Sequence, residues 1–109
     1  MEKRYLICDD DDTLDEQDRQ YYVLLIYDII DNKRRRNMVK IAEAFGVRVQ
    51  KSAFECKLDK KRYDRLLKRA PRCINHEEDS LRIYLLNGRA SVMTWGCETN
   101  LDSDRLIIL

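Results

Sequence analysis

Asp28 is the residue of this chain whose type and position point most directly to chemistry. It lies within residues 22–30, YVLLIYDII, a run otherwise built almost wholly of large apolar side chains. A short apolar run rich in β-branched and aromatic residues predicts a central β-strand. Because an isolated buried charge is costly, a carboxylate near the end of such a strand is expected to be paired, protonated or bound to a cation. Pairing with a nearby arginine and binding of a metal ion are both open at this point.

Four consecutive cations, residues 33–36 (KRRR), follow Asp28 almost at once. An acidic strand end beside a cationic cluster is the arrangement that a metal-dependent site on a phosphate-bearing substrate needs. The cations fall in the first turn of a predicted helix, where the helix dipole disfavours them. A bound phosphate would reverse that penalty, because helix N-termini attract anions and arginines add to the attraction. The cluster therefore predicts a phosphate contact.

The formal net charge of +1 hides a strong asymmetry along the chain. Residues 1–20 hold eight acidic and three basic side chains, whereas residues 33–72 hold 15 basic and four acidic ones, a net charge of +11. Such an excess of one sign on a small domain predicts a polyanionic partner, most simply nucleic acid. The alternative is a solvated surface, but an ordinary surface mixes both signs. Residues 1–20 are predicted to be an acidic extension of a domain formed by residues 21–109.

Length and composition exclude several classes of protein. A chain of 109 residues is large enough for one domain with a modest core. It has no apolar run of the roughly 18 to 20 residues that span a bilayer, so no membrane association is expected. The four cysteines form no CxxC pair and have no ligand-like spacing with the single histidine, His76. They indicate reduced thiols of a cytoplasmic protein and no zinc site.

Helical and strand periodicities alternate along residues 21–109. The predicted elements after the first strand are a helix over Lys33–Phe45 ended by Gly46, a strand region over Val47–Leu58 broken at residues 50–52, a second helix capped by Asp59, a strand over Ser80–Leu86, and a type I′ hairpin at Asn87-Gly88 leading into a strand over Ala90–Trp95.

The resulting order, β, α, ββ, α, β and a further strand, predicts an α+β fold of the ferredoxin-like βαββαβ type. In this pattern both helices cover one face of an antiparallel sheet. The first strand is apolar on both of its faces, so the second face of the sheet is expected to be covered as well. Two such sheets packing face to face would cover it, which predicts a homodimer.

Four segments in order resemble the small CRISPR-associated protein family of spacer acquisition. They are the strand YVLLIYDI (residues 22–29), the basic helix after it, RVQKSAFE (48–55) and DSLRIYLL (79–86). The resemblance covers residues 21 to about 109. It implies a homodimer that exchanges C-terminal tails, and the apolar end of the chain, DRLIIL, is similar to such a tail. The implied role is a scaffold that binds the CRISPR integrase and holds the DNA that becomes a new spacer.

The resemblance also implies an activity and its residues. Members of the family are described as metal-dependent endonucleases acting on RNA or DNA, with Mg²⁺ or Mn²⁺ held by Asp28 and its symmetry mate. The implied catalytic set is Asp28, Tyr27, Arg35, Arg48 and Phe54. The implied nucleic-acid contacts are Lys33, Arg34, Arg35, Arg36, Lys40 and Arg48. The chain departs from the family pattern at Asn37, where a second helix cation is often found, and in its acidic extension.

Three other functions are compatible with this topology. An RNA-recognition module is disfavoured, because its aromatic signature is absent from residues 51–58, KSAFECKL. A toxin-like ribonuclease would differ in gene neighbourhood, since an adaptation protein is expected beside an integrase gene and a repeat array. A non-catalytic nucleic-acid-binding module is also a possible function, because one carboxylate per chain supplies few ligands for a metal ion.

Overall fold

Residues 19–97, which the computed structural model of the chain describes, form a five-stranded sheet and two α-helices. In chain order the elements are β1 (Tyr21–Asp28), α1 (Asn32–Glu43), β2 (Gly46–Gln50), β3 (Ala53–Leu58), α2 (Lys60–Arg69), a short 3₁₀ helix (Ala70–Cys73), β4 (Ser80–Leu85) and β5 (Ser91–Gly96). The strand order is β2-β3-β1-β4-β5, and all neighbouring pairs are antiparallel. The predicted ferredoxin-like order with a further strand is confirmed. Most of the predicted acidic extension (residues 1–18) and the predicted C-terminal tail (residues 98–109) lie outside the described residues.

β1 is the central strand of the sheet, and its side chains alternate between two environments. Val23, Leu25 and Tyr27 are buried beneath the helices, whereas their neighbours along the strand are exposed or half-buried. This alternation follows from strand geometry, in which successive side chains point to opposite faces. Each large apolar side chain buried in this layer contributes roughly 1.5–3 kcal/mol relative to an exposed one. The core therefore lies between the sheet and the two helices.

Both helices begin at an aspartate that caps them. Asp31 accepts a hydrogen bond from the backbone N–H of Arg34 at 2.9 Å, and Asp59 accepts one from that of Arg62 at 2.8 Å. Each cap satisfies one of the backbone donors that the first helical turn leaves without a partner. The cap at Asp59, which was predicted from the sequence, is confirmed.

The prediction that α1 extends to Phe45 and is ended by Gly46 was wrong. The helix ends at Glu43, and Gly46 instead opens β2 without a positive φ. A Cβ at this position would collide with the backbone of Glu55 and the sulfur of Cys56 on the adjacent strand. Glycine is needed here because two strands approach closely, and not because the helix must terminate.

The predicted break at residues 50–52 is confirmed, but the predicted type I′ turn is not. β2 and β3 are joined there, and their register shifts between Arg48 and Gln50. β4 and β5 do form a hairpin, yet five residues, 86–90, separate the paired Leu85 and Ser91. The Asn87 side chain accepts from the backbone N–H of Tyr22 at 2.9 Å and donates to the carbonyl of Gln20 at 2.9 Å. Asn87 therefore fastens the hairpin to the start of β1, which a two-residue turn would not do.

The second face of the sheet carries no helix or strand layer within residues 19–97. Tyr22 is 43% exposed on this face, and Leu24 and Ile26 are only half-buried. We call it the open face.

Among the described residues no helix has the length and apolar character needed to cross a bilayer.

Candidate nucleic-acid interface and carboxylate site

Asp28 closes β1 on the open face of the sheet. It lies opposite Ser80 in the β1–β4 ladder, and its side chain is exposed. The expectation that this carboxylate is buried was therefore wrong for the single chain, because strand alternation turns it away from the helices. Within residues 19–97, it forms no ion pair that would neutralise it. Its oxygens are available to a cation or to a second molecule packed on the open face.

Tyr27 and Phe54 form part of the core on the helix side of the sheet. Both are buried, and their ring centroids lie 6.5 Å apart. The hydroxyl of Tyr27 donates to the carbonyl of Lys51 at 3.2 Å, and its backbone N–H donates to that of Ser52 at 3.1 Å. The aromatic pair thus anchors the β2–β3 turn to the end of β1. It does not reach the open face that carries Asp28.

Arg35 and Arg48 bind backbone carbonyls close to the end of β1. Arg35 donates through Nη1 to the carbonyl of Ile29 at 3.1 Å and through Nη2 to the side chain of Asn32. Arg48 donates to the carbonyl of Lys51 through Nε at 3.1 Å and Nη2 at 2.7 Å, with its guanidinium 5.8 Å from the centroid of Phe54. These bonds orient the two guanidiniums without neutralising their charge.

Arg34 is the one cation of the first turn of α1 that is held in ion pairs within the described residues. Its Nε lies 2.8 Å from Asp79 and its Nη2 lies 2.9 Å from Glu78. Nε and Nη2 of Arg34 are engaged in these contacts, and the contact of Arg34 with nucleic acid stays a prediction. The same pair also explains how this turn tolerates an arginine without a phosphate, since the partner carboxylates offset the unfavourable dipole.

Asp79 is a residue of this site that the sequence analysis did not predict. Its side chain is fully buried and accepts from the backbone N–H groups of Ile30 at 3.0 Å and Asn75 at 2.8 Å, besides the guanidinium of Arg34. Burial alone would raise the pKa of Asp79, but the hydrogen bonds from Arg34, Asn75 and Ile30 outweigh it and lower the pKa. The pKa of Arg34 is raised in turn, chiefly by its hydrogen bond to Asp79.

The position of Asp79 in the sequence explains why its ion pair with Arg34 was not predicted. It follows the polar stretch of residues 75–78, NHEE, and precedes β4, so by sequence alone it resembles an exposed loop acid. Only the pairing of β4 with β1 brings it beneath the first turn of α1, 45 residues from Arg34. Asp79 therefore holds both the backbone just after Asp28 and the start of the basic helix.

A cleft between α1 and the β2–β3 hairpin collects most of the predicted nucleic-acid contacts. It has a volume of about 410 Å³ and is lined by Arg35, Arg36, Val39, Lys40, Arg48 and Lys51. We call it the basic cleft. Five of these residues are cations and none is an acid, so the cleft presents unbalanced positive charge. Lys33 is exposed in the same helical turn but does not line the cleft.

The carboxylate site and the basic cleft are separate on one chain. Asp28 projects from the open face, whereas the basic cleft lies beside α1 on the other side of the sheet. No group of three or more histidine, cysteine, aspartate or glutamate side chains that could hold a metal ion occurs within residues 19–97. Asp28 by itself supplies one carboxylate, which fits Mg²⁺ only if waters, a phosphate or a second copy complete the shell.

Comparison with known proteins gives a consistent family. A family model described as CRISPR associated protein Cas2 matches residues 21–94. The chain is 42% identical over 78 residues to a protein of Synechocystis named CRISPR-associated endoribonuclease Cas2 3, covering 70% of this chain and 85% of that one. It is 35% identical over 95 residues to a Moorella thermoacetica protein named CRISPR-associated endoribonuclease Cas2 1, covering 81% of this chain and 99% of the relative.

Solved structures agree with these relatives. The fold matches a hypothetical protein from Thermus thermophilus with a TM-score of 0.59 and 35% identity, over 73% of this chain and 98% of that one. It also matches Cas2 of Streptococcus pyogenes with a TM-score of 0.56 and 34% identity, over 61% of this chain and 86% of the other.

Proposed function

Since the chain belongs to the CRISPR-associated Cas2 family, we propose that it binds nucleic acid during CRISPR adaptation and holds DNA for the CRISPR integrase while a new spacer is inserted. The observation that carries this proposal is the basic cleft, where five cations meet without an acid. Such a cleft suits the phosphate backbone, which supplies most of the sequence-independent affinity for nucleic acid. Arg35 and Arg48, already oriented by backbone carbonyls, offer their remaining donors to phosphate oxygens.

The proposal includes a metal-dependent endonuclease activity on RNA or DNA. Its support is the name of the relatives, endoribonuclease, together with the exposed carboxylate of Asp28. Asp28 and the same carboxylate of a second copy would hold Mg²⁺ or Mn²⁺, with waters and a substrate phosphate as further ligands. A bound divalent ion supplies an activated water and stabilises charge on the scissile phosphate. We assign Arg34 no role in this chemistry; its Nε is paired with Asp79.

A second candidate is a scaffold that binds nucleic acid without cleaving it. It is favoured by the separation of Asp28 from the basic cleft and by the lack, within residues 19–97, of a group of three or more possible metal-binding side chains. Both candidates require the basic cleft, and only the nuclease requires Asp28.

The basic cleft predicts which cations set the salt dependence of binding. Replacing Arg36, Lys40 and Lys51 by Ala is expected to weaken binding to unrelated duplexes about equally and to reduce the slope of log K against log salt by about 2 to 3, since each phosphate contact adds about 0.9. Fluorescence anisotropy across a range of KCl concentrations measures both quantities. These three were chosen because Arg35 and Arg48 also bind backbone carbonyls, so their replacement would disturb the turn.

The matched control removes the same charge from α2. Lys61, Arg65 and Lys68 are exposed on that helix and do not line the cleft. Their replacement by Ala is expected to change the slope by less than about 1. An equal loss in both triple variants would mean that nucleic acid covers the whole basic surface, and a loss only in the control would reject the cleft.

The open face predicts a homodimer. Leu24, Ile26 and Tyr22 leave an apolar strip in solvent, and a second copy packing on it would bury the roughly 1,200 Å² or more that a stable interface needs. Light scattering at micromolar concentration is expected to give about 26 kDa, twice the 13.1 kDa of one chain. Ile26→Lys, which places a charge in the strip, is expected to shift the mass toward one chain. A native mass of one chain at these concentrations would reject the dimer.

A further inference from the structure

Within residues 19–97 the basic cleft has no acidic side chain as a counter-ion. Arg36, Lys40 and Lys51 are exposed around it, and Arg35 and Arg48 are bound only to carbonyls or an amide, which do not cancel their charge. Like charges so close together raise the local potential and attract any nearby anion. The glutamate and aspartate side chains of the described residues do not line the cleft. The cleft can therefore accept an anionic group from outside residues 19–97.

The same chain carries a dense run of anions just upstream of β1. Residues 1–18 hold eight acidic and two basic side chains, and four of the acids are consecutive, at residues 9–12. These four carboxylates are closely matched in number to the five cations of the basic cleft. Residues 9–12 contain no apolar side chain, so a docked state of these four residues would rest on charge alone.

The reach of the chain decides which acids can arrive at the cleft. The cleft lies near the end of β1, because the hydroxyl of Tyr27 is bonded to Lys51, whereas the upstream segment joins β1 at Tyr21. At about 3.3 Å per residue, Tyr21 and Tyr27 are roughly 20 Å apart along the strand. Asp12 lies nine residues before Tyr21, and an extended chain of that length spans about 30 Å. Asp18, only three residues before Tyr21, spans about 10 Å and falls short.

We propose that residues 9–12 bind the basic cleft of their own chain and compete there with nucleic acid. A tether this short gives the segment an effective concentration in the millimolar range, so that a weak contact is enough to occupy the cleft. The contact is inferred from the opposite charges and from the length of the connecting chain. The competition also rests on the proposed function, since it requires that nucleic acid binds the same cleft. The segment would then act as an internal substitute for a phosphate backbone, displaced only by a more strongly bound polyanion.

The contact is tested on the full chain without nucleic acid. Cys8 adjoins residues 9–12 and takes a nitroxide label once Cys73 and Cys97 are replaced by Ser, since Cys56 is buried. At about 50 mM salt, where screening is weak, the label is expected to broaden the amide NMR signals of Lys40, Arg48 and Lys51. Asp10, Asp11 and Asp12 replaced together by Asn are expected to abolish the broadening. Its persistence in that variant, or its absence in the parent chain, would overturn the inference.

A control variant of equal charge separates docking from general electrostatics. It carries Asp15→Asn, Glu16→Gln and Asp18→Asn, which remove three charges closer to β1 than the docking residues. This variant is expected to retain the broadening of the cleft amides. Equal loss in both triple variants would show only a long-range effect of charge and would overturn the inference.

Competition is measured as the Kd for a short DNA duplex. The variant neutralised at residues 10–12 is expected to bind about five- to tenfold more tightly than the parent chain at about 50 mM salt, and the ratio should approach one at about 0.5 M. The control variant should gain less than about twofold. Failure of every variant to bind DNA would reject the proposed function but leave the cleft contact, measured separately, intact. Binding that is equally tight in the parent and both variants would overturn the competition.

Discussion

Asp28→Asn is expected to reduce divalent-metal-dependent cleavage by at least about 100-fold, if Asp28 is the metal ligand of the proposed nuclease. An amide cannot supply the anionic oxygen that a hard cation prefers. Loss of a residue that only orients a metal ligand typically costs about 10- to 100-fold in affinity or activity, so loss of the ligand itself should cost no less. Cleavage of labelled RNA and DNA across a Mg²⁺ or Mn²⁺ titration measures the effect.

Glu55→Gln is the matched control for Asp28→Asn. Glu55 is exposed, and its register with Leu24 places it on the same open face, away from the end of β1. It removes one carboxylate charge by the same chemical change and is expected to leave cleavage unchanged. Normal cleavage by Asp28→Asn in Mg²⁺ would remove Asp28 from the chemistry.

The same Asn variant separates the nuclease from the scaffold. Asp28 is exposed and Asn is nearly isosteric, so the fold should survive the substitution. The basic cleft lies on the other side of the sheet, and assembly with the integrase on DNA is therefore expected to continue. Spacer acquisition by this variant in cells would show that cleavage is dispensable for the scaffold. A variant that fails to assemble although it is folded would instead place Asp28 in the interface.

Asp79→Ala is expected to lower the free energy of unfolding by about 3–5 kcal/mol, because it leaves the Arg34 guanidinium without its buried partner. The backbone donors of Ile30 and Asn75 would also lose their acceptor. A loss of this size is a large share of the roughly 5–15 kcal/mol that holds a domain together. Urea unfolding followed by circular dichroism measures it.

Glu78→Ala provides the control, since Glu78 binds the same guanidinium from an exposed position. An exposed ion pair contributes at most about 1 kcal/mol, so this variant should differ little from the parent chain. Asp79→Asn is a milder second variant that keeps one acceptor oxygen and should fall between the two. Equal losses from Glu78→Ala and Asp79→Ala would show that burial of Asp79 does not matter.

The lowered pKa of Asp79 gives this prediction a pH dependence. Its pKa in the folded chain lies below the ordinary value of 3.8, so the folded state favours the ionised carboxylate. The stabilisation is therefore complete above that value and is lost as the pH falls through the lower, folded-state pKa. The stability difference between the parent chain and Asp79→Asn should be constant near neutral pH and shrink below about pH 4. A difference that does not change in acid would show that the ionised form is not favoured by folding.

Local signals were enough to predict the elements of this fold. The first strand, the cap at Asp59 and the break at residues 50–52 each depend on residues within one turn or strand, where period and capping chemistry are readable. The errors arose from contacts between distant segments. Position 46 must be glycine because β3 lies too close for a Cβ, and Asn87 binds the backbone at the start of β1.

The site was predictable only in part for the same reason. The basic helix could be identified from its composition, and three of its predicted contact residues, Arg35, Arg36 and Lys40, line the cleft together with Arg48 of β2. The sequence could not distinguish Arg34 from the neighbouring cations, because Asp79, which binds it, is 45 positions away. The exposure of Asp28 depends on which face of β1 the helices cover, and a strand that is apolar on both faces does not reveal this.

The place of β1 at the centre of the sheet has a consequence for the order of folding. Among the described elements β1 emerges first from the ribosome, but one of its two edges pairs only with β4, whose last residue lies 57 positions after Asp28. At a synthesis rate of about 5–20 residues per second, that edge stays unpaired for roughly 3–12 s. During this interval the β2–β3 hairpin can pair with the other edge of β1 and the two helices can cover one of its faces, but the edge that pairs with β4 stays open.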